Sequence, residues 1–179
     1  MVLNDGDINS NTATSTIAIS NVAIVPPTLD LDGDNNLTDN DYQTSYSVGG
    51  SPISIADDVL VGDSDSINLQ NATIHLTTRP DGDAAESLVV NGALPTEITA
   101  TDFDDVTGIL ELTGEAPLSA YQTAIARIEY NNTIGLQTSD RLVKVVVNDG
   151  ISDSNIAMTT IDMVLPPYID LDGDDSSFS

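Results

Sequence analysis

RLVKVVVNDG, residues 141–150, sets Val143, Val145 and Val147 on one face of an extended segment and then turns at Asp149-Gly150. Apolar residues at every second position mark a half-buried strand, and Asp-Gly is turn chemistry. The stretch decides the fold because its end is written twice. LNDGDINSNTATSTIAI (3–19) returns as VNDGISDSNIAMTTIDM (147–163). Asn4, Asp5 and Gly6 match Asn148, Asp149 and Gly150, Ser10-Asn11 matches Ser154-Asn155, and Thr16-Ile17 matches Thr160-Ile161, all 144 positions apart. An acidic phrase follows each copy: PPTLDLDGDNN (26–36) becomes PPYIDLDGDDSS (166–177), 140 positions on. Two blocks in the same order at nearly one spacing define tandem repetition. Residues 1–25 then read as the tail of one repeat, 26–165 as a complete repeat, and 166–179 as a linker opening the next. Met1 reads as a start added to an excised fragment.

Inside the complete repeat the period-two pattern recurs. Ala72, Ile74 and Leu76 alternate with Thr73, His75 and Thr77, and Ile109 and Glu111 alternate with Leu110 and Leu112. Further strands are expected at 44–48, 52–56, 87–90 and 157–165, and the tail at 12–25 is expected to form one more. LSAYQTAIARI (118–128) breaks the rule: Leu118, Tyr121, Ile125 and Ile128 recur at three and four, which predicts one or two helical turns before a strand containing Tyr130. About seven short strands with turn residues between them predict an all-β, Greek-key β-sandwich with a short helical turn.

Lys and Arg number 4 against 29 Asp and Glu, a formal charge of −25. Nucleic acid and anionic membranes both require cationic protein surface, so neither is an expected partner. Carboxylates within a Debye length of one another, about 8 Å at physiological salt, oppose compaction. With so few basic residues, a dissolved cation is the expected counterion. The chain has no Cys, so disulfides and thiolate sites are excluded. No apolar run approaches the 18 or so residues of a membrane span.

Several of these stretches are similar to one family. "LDLDGD", "GDSDSINLQNATIHLT", "VTGILELTGEAPLSAYQTAIARIEYNN" and "DRLVKVVVNDGISDSN" together resemble the cadherin-like, immunoglobulin-like tandem repeats of giant bacterial surface adhesins of the RTX type. The resemblance runs over most of the chain. It implies extracellular β-sandwich modules joined end to end and commonly rigidified by calcium. The chain lacks the glycine-rich nonapeptide of RTX calcium rolls. In an EF-hand loop glycine follows the third acidic residue, whereas Gly33 precedes Asp34.

Calcium takes six to eight oxygen ligands. Asp30, Asp32 and Asp34 would lie on one side of an extended linker, about 7 Å between neighbours, and Gly33 permits the bend that would gather them. Asp63 and Asp65 resemble the paired aspartates with which cadherin-like domains bind linker calcium, with Asp57 and Asp58 nearby. Asp149 in the Asn-Asp-Gly turn, or Asp5 at the first linker, could close the site from a preceding module. Asp170, Asp172 and Asp174 repeat the half-site. Asp81, Asp83, Asp102, Asp104 and Asp105 read as plain turn formers.

His75, the only histidine, sits opposite an apolar strand face and reads as a solvated strand residue; no nucleophile elbow, phosphate loop or dinucleotide fingerprint accompanies it. The sequence therefore points away from an enzyme. Two functions stand: a calcium-stiffened spacer and adhesion module, with neighbouring repeats and cell-surface glycans or proteins as partners, or a carbohydrate-binding module. The second needs exposed aromatic platforms, and the chain has no Trp and five dispersed Tyr, of which Tyr121 and Tyr130 read as core.

Overall fold

The computed structural model describes residues 6–8, 14–17, 23–33, 39–135 and 137–164. Its elements run β1 (Thr28–Asp30), β2 (Tyr42–Ser47), β3 (Ile53–Ser54), β4 (Leu60–Gly62), β5 (Asn68–Leu76), β6 (Glu86–Val90), β7 (Thr99–Ala100), β8 (Ile109–Pro117), α1 (Leu118–Ile125), β9 (Ile128–Asn132), β10 (Arg141–Asn148) and β11 (Ala157–Val164). Strands appear where the alternation predicts them. Ala72, Ile74 and Leu76 of β5, Leu110 and Leu112 of β8, and Val143, Val145 and Val147 of β10 all point into the core. The helix forms where the spacing switches to three and four. Tyr121, Ala124 and Ile125 are its buried face, and Ile67 O accepts the N–H of Leu118, one of the first-turn donors without a helical partner.

The chain is an all-β sandwich. One sheet has the order β2-β11-β10-β5-β8-β7, a second β3-β9-β6, and β1 pairs with β4 alone. Strands pair antiparallel except for β2 along β11, which is parallel. That exception follows from connectivity: the two strands are far apart in sequence, so no hairpin constrains their direction. Side chains from all three sheets meet in one core, among them Leu29, Tyr46, Ile55, Ala72, Leu88, Tyr130 and Val145.

Two expectations change here. Residues 26–33 are not an extended linker: Leu29 and Leu31 are both buried, and residues 28–30 form β1 against β4. Their period-two apolar spacing docks the acidic phrase onto the core. The strand expected at 12–25 is not seen in the parts described, 14–17 and 23–25; the rest of it lies outside the described residues.

Strand direction places the chain's entry and exit at opposite ends. Thr28 pairs with Gly62, and Asn148 pairs with Asn71, so residues 25–28, 63–71 and 148–155 share what we call the upper end. Val143 pairs with Leu76 and Val164 with Ser47, so residues 47–50, 76–83, 132–135, 137–142 and 164 share the lower end.

Candidate functional site

The upper end is an acidic rim built on backbone hydrogen bonds. In the loop between β4 and β5, Asp63 Oδ1 accepts N–H groups from Asp65 (3.0 Å) and Ser66 (3.1 Å), the turn chemistry of an aspartate folded back on its own chain. Burial works against the Asp63 charge, but the backbone donors of Asp65 and Ser66 outweigh it and hold the carboxyl below the ordinary range. Its other oxygen, Oδ2, is buried and has no hydrogen-bond donor among the described residues. Asp65 receives the Val25 N–H on both oxygens at 3.2 and 3.3 Å, which ties the entering chain to this loop. Asp149 Oδ1 accepts from Ile151 and Ser152, each at 2.7 Å. Asn148 Nδ2 donates to Asp153 at 2.6 Å.

A second acidic group lies where β1 ends. Asp30 Oδ1 accepts the Asp32 N–H at 2.9 Å. Asp57 N donates to Leu31 O and Gly33 N donates to Asp58 O, so Asp30, Asp32, Asp57 and Asp58 occupy adjoining segments. Asp32 is only 1% exposed. The approach is close enough to demand glycine at position 33, where a Cβ would sit 2.3 Å from Asp58 O. Asp58 itself adopts φ 50°, a left-handed conformation that aspartate tolerates better than most residues.

These positions divide the sequence-predicted ligands. Asp30 pairs with Leu60, so Asp63 lies three residues further along, about 10 Å at strand spacing, beyond the opposite end of β1. Asp63 and Asp65 therefore do not close around Asp30 and Asp32; the segment of Asp57 and Asp58 is the one that runs beside them. Asp149 joins the upper rim. Asp34, Asp170, Asp172 and Asp174, with Asp5, lie outside the described residues. Among the described residues no three acidic, His or Cys side chains are gathered tightly enough to hold a metal ion. The donor chemistry nevertheless suits a hard cation: carboxylates predominate, one buried Asp63 oxygen has no donor among the described residues, and no Lys or Arg precedes Arg79.

Two residues without a local sequence signature of their own hold these groups in place. Asn155 donates from Nδ2 to Leu29 O and accepts the Leu29 N–H on Oδ1, both at 2.8 Å, so its amide pairs with β1 as another strand would. Its one signal is its recurrence as Asn11. Arg141 closes the lower end. It reaches Glu86 Oε2 through Nε at 2.9 Å and Asp81 Oδ2 at 2.7 Å, with further bonds to the carbonyls of Gln137 and Ser139. Tyr130 donates to Glu86 Oε2 (2.7 Å), Asn132 Nδ2 donates to Asp81 Oδ2 (2.8 Å), and Tyr46 donates to Asn132 O (2.9 Å). Asp81 is thus a buried partner of Arg141 and not the plain turn former expected from its Pro-Asp-Gly setting. Asp104 keeps the turn role, accepting from Val106 and Thr107.

His75 lies mid-strand between Lys144 and Ile109, half-buried on the outer face of its sheet. Tyr46, Tyr121 and Tyr130 are fully buried. The fold is an all-β sandwich with an acidic rim at its upper end. The chain matches no family model, no curated protein and no solved structure.

Proposed function

We propose that the chain is a calcium-dependent spacer module of an extracellular tandem-repeat protein, one that carries an adhesive part of the parent away from a cell surface. The reading rests above all on the Asp63 carboxylate, whose buried Oδ2 has no donor among the described residues, beside the place where the chain enters. A cation there would satisfy that oxygen and tie the loop of Asp63 and Asp65 to whatever precedes Val25. A second cation would draw on Asp30, Asp32, Asp57 and Asp58 together with Asp34. Calcium supplies charge neutralisation with flexible oxygen coordination. The chain's own residues fix the loop (Asp63), hold the entering strand (Asp65) and lock β1 onto the core (Asn155). The repeat and the opposed entry and exit support the array; the acidity supports an extracellular, calcium-rich setting.

The test is a calcium titration followed by melting temperature. Extracellular calcium modules bind at roughly 0.1–1 mM. At about 100 times the dissociation constant one site adds about 2.7 kcal/mol, a rise of roughly 5–11 °C. An unchanged melting temperature at about 10 mM calcium, well above that range, would rule the reading out. Retention on insoluble polysaccharide, abolished by chelator, would favour the carbohydrate-binding alternative instead.

A further inference from the structure

Both ends of the sandwich carry exposed aliphatic side chains, although Leu60, Val106 and Ile156 are exposed as well. At the lower end Ile134 is 51% and Val164 47% exposed. Val48 lies between them: its N–H donates to Val164 O, and its side chain lies over Gly135, the neighbour of Ile134. At the upper end Ile67 is 83% and Ile151 69% exposed, one following the Asp65 loop and the other in the Asn-Asp-Gly turn. Isolated aliphatic residues on a surface are ordinary; what matters here is that both poles of a repeating unit carry them.

Sequence spacing says what faces them. By the 140-residue repeat, Ile24-Val25-Pro26-Pro27 corresponds to Val164-Leu165-Pro166-Pro167. Thr28, the first residue of β1, then corresponds to Tyr168, four residues after Val164. Four extended residues span at most about 14 Å. The lower end of one repeat and the upper end of the next are therefore tethered closer than two free loops and their water would need. Ile24, the counterpart of Val164, is exposed in the same way at the other pole.

We propose that successive repeats touch directly, the Val48–Ile134–Val164 patch of one meeting the Ile67–Ile151 patch of the next, and that this apolar contact holds the junction in line without a metal ion. The proposal rests on the tandem-array reading above and adds to it a contact that calcium does not supply. Apolar burial at the junction opposes the repulsion between two strongly acidic modules, and unlike that repulsion it is not screened by salt.

The experiment uses the full chain and the full chain continued after Ser179 with a second copy of residues 40–164, which carries the 140-residue phase forward. In chelator, the two-repeat chain is expected to melt about 3 °C or more above the original, since a contact of about 1 kcal/mol moves a domain of this size by that much. Ile134→Asp in the first repeat, or Ile151→Asp in the second, should abolish the gain. Both side chains are exposed, so the same changes should leave the melting temperature of the original chain in place. Equal melting of the two chains in chelator, or a gain insensitive to both substitutions, would overturn the contact. A gain that appears only with calcium would overturn it as well and leave the calcium reading standing. A gain in chelator with no calcium response would support the contact and sink the calcium reading.

Discussion

The lower and upper ends of this sandwich treat their carboxylates in opposite ways. Below, Asp81 and Glu86 are buried against the Arg141 guanidinium, and Tyr130 and Asn132 complete their hydrogen bonds. Above, Asp63, Asp65 and Asp149 are held by backbone N–H groups. Two of the four basic residues, Arg79 and Arg141, are engaged below, on Asp83, Asp81 and Glu86. Net charge is thus a poor guide to local electrostatics: at one end buried carboxylates are ion-paired, and at the other the carboxylates are held by backbone donors alone.

The contrast breaks hardest at Arg141. Replacing it with Ala or Met strands two buried carboxylates, at a cost of about 3–5 kcal/mol. Urea denaturation should place the variant at the edge of folding; a loss below about 1 kcal/mol, the range of a surface pair, would mean that the triad carries no structural weight. Next comes Asn155→Ala. It removes both bonds to Leu29 and leaves a buried N–H and C=O without partners, costing about 2–3 kcal/mol. Hydrogen exchange should accelerate at Leu29 and Leu31 before it does at β10, and uniform acceleration would contradict a local lock.

Alkaline titration probes the lower and middle core. Burial pushes the Tyr121 hydroxyl up to about 12 from its ordinary 10, and burial with the Glu86 charge pushes Tyr130 up as well. A raised folded value favours the protonated form, so this stability is intact below pH 10 and is lost as pH climbs from there through the folded value. For Tyr121 the loss amounts to about 2–3 kcal/mol by about pH 12. Phenolate absorbance that rises before unfolding would show that solvent reaches the ring in the folded state.

Asp63 sharpens the comparison with the smallest effect. Its folded value is depressed, so its contribution is present above the ordinary carboxylate value of about 4 and disappears as pH falls through the lowered one. In chelator, Asp63→Asn should cost about 1 kcal/mol or less and flatten the acid limb of the stability profile. In calcium the same change should remove the share of the calcium-induced rise that the Asp63 site supplies. A rise that survives undiminished in Asp63→Asn would leave the Asp30–Asp58 group as the only cation site.

Much of the fold is legible in the sequence because local period and turn chemistry agree with burial. β5, β8 and β10 follow directly from their alternating aliphatics, and α1 from Leu118, Tyr121 and Ile125. β1 and β4 escape such a reading because they are only three residues long, and because an aspartate-rich phrase reads more readily as a ligand string than as a strand. The site is less legible. Asp30, Asp32, Asp63 and Asp65 read along the chain as one group, yet strand register separates them into two. Arg141 meets Glu86 and Asp81 across 55 and 60 residues, a pairing that no local pattern encodes.

By itself the sequence determined that this is a repeating, acidic, β-rich chain with no thiol chemistry, since composition, period and recurrence are properties of order along the chain. Only the tertiary structure decided which carboxylates are buried with a cationic partner and which stand at the entry without one. Charges interact through space over distances of a few ångströms, and strand pairing alone fixes those distances.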